Sequence, residues 1–165
     1  MRDFQQMNAL TDKYGADLAV IGFPTNQFGH QTNEKEFEIL NTLKYVRPGD
    51  GYEPNFTMMG KLDVNGENAH PLFQYLRTAL PTTYDDLNGL GDDFIISLAS
   101  KVLWAPLSRT DIGWNFEKFL INQNGVPVRR YSPKFPTEDV AADIDTLLKD
   151  GPDALSVGSP VSASA

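Results

Sequence analysis

Apolar residues recur at three- and four-residue spacing at Phe4, Met7, Leu10 and Tyr14, which predicts a first helix ended by Gly15. Leu18 to Phe23 is a short continuous apolar run that stops at Pro24, the pattern of a strand buried on both sides. A polar loop, Thr25 to Gln31, follows it. Thr32 or Asn33 is placed to cap a helix carrying Phe37, Leu40, Leu43 and Tyr45 or Val46, which ends before Pro48-Gly49. Phe56 to Val64 reads as a second strand, closed by a turn at Asn65-Gly66. Pro71 opens a helix through Arg77 that ends by Pro81. Residues 82–93 read as loop, and Phe94 to Trp104 fits helix or strand equally. Trp114 to Ile121 and Val126 to Tyr131 form a hairpin about Asn122–Gly125. Thr137 caps a last helix with Val140, Ile144, Leu147 and Leu148 on its face. The alternation of strand, loop and helix predicts a single α/β domain over residues 1–150. The low-complexity tail, residues 151–165, is expected to be disordered.

Composition narrows the chemistry. The chain has 165 residues, 22 acidic against 14 basic, and a net charge of −8, which argues against non-specific nucleic-acid binding. It has no cysteine and two histidines. A disulfide framework, a thiolate metal site, a cysteine nucleophile and a His-only metal site are thereby excluded. No apolar run reaches the 18 or so residues of a membrane span. Gly89 and Gly91 lack the third glycine of a dinucleotide loop. Asp85 to Asp93 has the wrong spacing for a calcium loop, Asn55-Phe56-Thr57 is a glycosylation sequon in form only, and His70 reads as a hydrogen-bonded turn residue. What remains is polar and aromatic residues at strand ends: Asn26 and Gln27, and Trp114 and Asn115. Ligands of open α/β sheets bind there. From position alone, Gln27 and Asn115 serve equally well to satisfy backbone groups, and Trp114 to fill core.

Four stretches resolve that choice by resemblance. Gly22-Phe23-Pro24-Thr25-Asn26-Gln27-Phe28-Gly29-His30-Gln31 resembles the signature of the glutathione peroxidase family. So do Leu43 to Gly49, Val64-Asn65-Gly66 through Ala69 to Phe73, and Trp114 to Leu120. The resemblance runs in order over residues 1 to about 149. It implies a thioredoxin-like fold, a central mixed sheet flanked by helices. It implies reduction of hydrogen peroxide and organic hydroperoxides by glutathione, as part of the oxidative stress response. No bound cofactor is implied; glutathione is the reducing co-substrate.

Gln27, Trp114 and Asn115 match the family residues around the reactive chalcogen. Amide and indole N–H groups donate without titrating and lower the pKa of the anion they hold. Arg2 and Arg47 match arginines assigned to the glutathione carboxylates. A family arginine pair reads Pro133-Lys134 here, so Lys134 keeps one charge, and Arg129 and Arg130 lie close enough in sequence to compensate. Residues 81–113 resemble the subunit-contact segment of tetrameric members, and there is no resolving cysteine. Both point to glutathione and a homotetramer, and away from a thioredoxin-dependent peroxidase. A non-catalytic binding or scaffold protein on the same fold is the other alternative.

The resemblance places the nucleophile, a selenocysteine or cysteine, a few residues before Arg2. The sequence begins at Met1 and lacks cysteine. The expectation is an N-terminally clipped selenoprotein without its N-terminal hairpin and first core strand, inactive and unstable as given. A cytoplasmic compartment is expected, or secretion if a signal peptide preceded this sequence.

Overall fold

The computed structural model describes residues 2–85 and 102–155. In chain order these form α1 (Arg2–Tyr14), a 3-10 turn (Gly15–Asp17), β1 (Ile21–Gly22), α2 (Glu36–Tyr45), β2 (Thr57–Met58) and α3 (Pro71–Ala79). They continue with β3 (Lys118–Ile121), β4 (Pro127–Tyr131), a second 3-10 turn (Thr137–Val140) and α4 (Ala141–Asp150). The second half of the expected loop at 82–93, and the ambiguous stretch up to residue 101, lie outside the described residues.

β1 and β2 run parallel, and β3 and β4 antiparallel with an irregularity between Leu120 and Ile121. The expected mixed sheet is thus two two-stranded ladders among the described residues. Alternation along β3 sends successive side chains to opposite faces. Leu120 enters a core with Leu10, Val128, Tyr131, Ile144 and Leu147. Phe119 packs instead on a second core of Phe28, Val64, Phe73, Leu76 and Ile112, with Trp104 and Trp114 at its border. Leu148, expected on the buried face of α4, is 42% exposed.

Local chemistry explains where elements start and stop. Gly15 ends α1 at φ +53°, which a Cβ disfavours. Pro71 sits in the first turn of α3, where its missing N–H has no intrahelical partner to lose. His70 caps that helix, its Nδ1 accepting the Leu72 N–H at 3.2 Å. In the hairpin, the Asn122 carboxamide accepts the N–H groups of Asn124 (3.0 Å) and Val126 (2.9 Å).

Four expectations need correction. Among the described residues the strand over 18–23 is paired at Ile21 and Gly22, on one edge, and Ile21 is 50% exposed. α2 starts after Lys35, since the Asn33 amide donates to His30 O (2.8 Å) and its carbonyl accepts from Asn26 (2.9 Å). The Glu38 carboxylate accepts the Lys35 N–H instead. Thr137 does not cap the last helix; its hydroxyl donates to Asp3 (2.8 Å) and its N–H to Gln6 (3.0 Å), which ties it to α1. Residues 151–155 of the tail belong to the fold: Leu155 is 7% exposed within the first core, and Pro152 O accepts from Asn122 at 2.9 Å. Residues 156–165 lie outside the described residues.

Lys118 crosses between the two ends of this scaffold. Its ammonium donates to Ser132 O (2.9 Å) and Phe135 O (2.5 Å). Burial lowers its pKa from an ordinary 10.5 to about 8; Asp3, Asp85 and Glu117 oppose the shift and Arg2 adds to it. Between those two values the folded chain sheds this proton before the unfolded chain does, so stability rises with pH across the window. The urea midpoint is therefore expected to gain from about pH 8 to pH 10 relative to Lys118→Met, in which this rise is lost. Parallel profiles for the two proteins would contradict the assignment.

Candidate active site

The loop leaving β1 is built around Gln27, which is 7% exposed. Its Oε1 accepts the N–H groups of Val64 and Asn65, both at 2.9 Å, and its Nε2 donates to Asn65 O at 3.0 Å. A carboxamide has two N–H donors, so one is used there. Phe28, 2% exposed, lies against the Trp114 ring at 5.5 Å between centroids and edge-on to Trp104 at 5.6 Å. Asn115 donates from its amide to Gln31 Oε1 at 2.8 Å. The loop over 25–31 thus meets the segment over 112–117, and Gln27, Trp114 and Asn115 share one neighbourhood.

That segment is tightly held. Ile112 exchanges two hydrogen bonds with the Asn65 side chain, at 2.8 and 2.9 Å. Glu117 accepts the Gly113 N–H at 2.8 Å, closing the short loop that carries Trp114 and Asn115. Phe116 has φ +61°, a backbone conformation uncommon for a bulky side chain. Its ring meets Phe4 of α1 edge-on at 5.0 Å, which brings the first turns of α1 beside this loop. Burial pushes the Glu117 carboxyl upward against the pull of Arg130 and the Gly113 N–H. Arg77 pairs with Asp111, whose other oxygen accepts Trp104 Nε1 (2.8 Å) and Ser108 N (2.9 Å).

The cations divide. Arg2 is half exposed and 3.3 Å from Asp3, on the first turn of α1. Arg47 is exposed just after α2, and Lys134 is exposed beyond β4. Arg129 and Arg130 do not join them. Arg129 lies 4.6 Å over the Tyr84 ring and 3.9 Å from Asp143, with Nη1 3.4 Å from Leu155 O. Arg130 is 3% exposed, paired with Glu117, and donates to the carbonyls of Leu80, Pro81, Thr110 and Asp111 at 2.9–3.2 Å. A guanidinium buried this deeply and engaged through all three nitrogens does not reach a substrate, so the expected compensation by Arg130 is corrected: its role is to hold the fold.

The sequence assigns no chemical role to Asp111 or Arg77, nor to Asn65 and Glu117, which lie in the family-like stretches. Gln31, which joins Asn115, was quoted as part of a motif and given no role. Among the described residues no three His, Cys, Asp or Glu side chains could together hold a metal ion. No helix among them is long and apolar enough to cross a membrane.

Comparison with known proteins gives this arrangement a context. The family described as glutathione peroxidase matches residues 1–77. Glutathione peroxidase 1 of Mus musculus is 56% identical over 149 residues, which is 90% of this chain and 72% of that protein. Glutathione peroxidase 1 of Bos taurus is 54% identical over 155 residues, 93% of this chain and 73% of that one. Among solved structures, Trgpx in apo form superposes with a TM-score of 0.56 at 26% identity, over 89% of this chain and 71% of that chain. The structure of T. cruzi GPX1 gives a TM-score of 0.53 at 26% identity, over 88% and 71%. The α/β architecture is thus the thioredoxin-like one that the motifs implied. On the extent and level of these identities, this chain belongs to the glutathione peroxidase family.

Proposed function

We propose that this protein serves the reduction of hydroperoxides by glutathione, with two glutathiones giving one disulfide, one alcohol or water from the peroxide, and one further water. The carrying observation is the junction of the 25–31 loop with the 112–117 segment, where Asn115 bonds Gln31, Phe28 packs on Trp114, and Gln27 bonds Asn65, which in turn bonds Ile112; the proposal assigns the Gln27 amide, the Trp114 indole and the Asn115 amide to one charge. Donors of this kind lower the pKa of a chalcogen anion, which is the nucleophile toward peroxide. None of the 165 residues is cysteine, so the atom that takes the peroxide oxygen is not among them. A selenocysteine or cysteine residue would supply that redox chemistry. The three side chains here hold its charge and exclude a competing proton.

Arg2, Arg47 and Lys134 are the cations that remain accessible for the two glutathione carboxylates, within a chain of net charge −8. A homotetramer built through residues 81–113 and a cytoplasmic compartment complete the proposal.

The test uses the polypeptide as its cell makes it. Hydroperoxide-dependent oxidation of glutathione by that polypeptide is expected. Arg47→Ala is expected to raise the KM for glutathione roughly two- to fivefold, the scale of one exposed charge pair. The rate constant for peroxide stays in place. Absence of glutathione oxidation by the natural polypeptide, or a preference for thioredoxin as reductant, would overturn the proposal.

A further inference from the structure

Asn65 is 1% exposed and works in two directions at once. Its backbone pairs with the Gln27 carboxamide, N–H to Oε1 at 2.9 Å and carbonyl from Nε2 at 3.0 Å. Its side chain pairs with the Ile112 backbone, Nδ2 to Ile112 O at 2.9 Å and Ile112 N–H to Oδ1 at 2.8 Å. Trp114 follows two residues later. A single residue therefore touches Gln27 on one side and the strand of chain carrying Trp114 and Asn115 on the other.

Its surroundings fix its position and its amide orientation. Arg77 Nη1 lies 3.4 Å from Oδ1, so two donors face the oxygen and a carbonyl faces the nitrogen. A flipped amide would set N–H against N–H. The neighbouring Gly66 has φ +79°, and a Cβ there would meet Trp104 Cβ at 2.9 Å and Ala105 O at 3.0 Å. The turn at Gly66 is pressed against residues 104–105.

We propose that Asn65 is a positioning residue that sets Gln27 and the Trp114–Asn115 pair at one fixed separation. The proposal deepens the peroxidase reading above and rests on it. Asn65 touches no reacting atom. It acts because preorganised donors work only within hydrogen-bond distance of the charge they hold. A misplacement near 1 Å costs on the order of 100-fold in rate.

The natural, active polypeptide is compared with its Asn65→Ala, Asn65→Asp, Gln27→Ala and Trp114→Phe variants. Three quantities are read: the second-order rate constant for hydrogen peroxide against pH, the KM for glutathione, and the urea midpoint. Asn65→Ala is expected to lower the peroxide rate constant on the order of 10- to 100-fold. The midpoint of its pH profile should move upward, as the anion loses aligned donors, with the glutathione KM unchanged. Asn65→Asp keeps an acceptor toward Ile112 N–H and Arg77, and its rate should fall between the two. If Asn65→Ala does not fold, the pH profile of Asn65→Asp decides the matter by the same criterion. Combining Asn65→Ala with Gln27→Ala should cost less than the product of the single losses. A peroxide pH profile untouched by Asn65→Ala, or by Asn65→Asp in its place, but moved by Gln27→Ala or Trp114→Phe, overturns this inference and leaves the peroxidase reading standing. A wild-type protein without peroxide-dependent glutathione oxidation removes that reading instead.

Discussion

Replacing Arg130 with methionine is expected to cost about 3–5 kcal/mol of stability, the loss seen when one partner of a buried ion pair is removed. The expectation follows from what the guanidinium leaves behind. Glu117, 3% exposed at its side chain, would keep a carboxylate with no counter-charge, and four main-chain carbonyls would lose their donor. Against a total stability of about 5–15 kcal/mol for an ordinary domain, such a loss is severe. The neighbouring Arg129→Met should cost no more than ~1 kcal/mol, because Arg129 is 24% exposed at its side chain and its pair with Asp143 is long. Urea midpoints at constant slope report both numbers. A double change, Arg130→Met with Glu117→Leu, removes both charges and should recover much of the loss. Equal effects at the two arginines would refute the distinction between them.

Trp114→Phe carries the largest expected effect on chemistry. The substitution keeps an aromatic ring against Phe28 and removes the indole N–H together with the fused five-membered ring. Loss of one preorganised donor to a charge-bearing atom typically costs about 100- to 1,000-fold in rate. In the natural polypeptide that loss should fall on the hydroperoxide step, measured by single-turnover oxidation. The urea midpoint and the glutathione KM should stay near their starting values. A variant that oxidises with peroxide as fast as the parent would remove Trp114 from the donor set.

Much of this was legible where the signal is local. Pro71 with His70, and Asn122 with Gly125, dictate their turns through φ limits and side-chain caps, and the structure has them as read. The face of α4 was legible in part, since Val140, Ile144 and Leu147 are buried at its period, but the expected face of α2 needs correction: Leu43 is buried, whereas Phe37, Leu40, Tyr45 and Val46 are 52–75% exposed. The start of α2 was not legible either, since Asn33 found partners in His30 and Asn26, which are loop contacts no periodicity records. Arg129 and Arg130 read as two neighbouring cations close enough to help hold glutathione. The strand sends the two to opposite faces, and only the tertiary structure shows that one face is closed by Glu117 and four carbonyls. Gln27 met the reading in which it satisfies backbone groups, its carboxamide bonding Val64 and Asn65. Asn65 was hidden because an Asn-Gly pair signals a turn whether or not its side chain reaches across the molecule.

The bonds that join α1 to the far end of the chain have a bearing on how the polypeptide is made. Thr137 reaches Gln6 and Asp3 across 131 and 134 residues, and Tyr14 reaches Ala141 O and Asp145 across 127 and 131. A ribosome adding about 5–20 residues per second needs roughly 7–26 s to span that interval. Throughout that time the first helix has emerged without the surface it docks on. In nascent chains of this protein α1 must therefore wait until residues 137–145 are made before it can settle, and is open to chaperone capture until then.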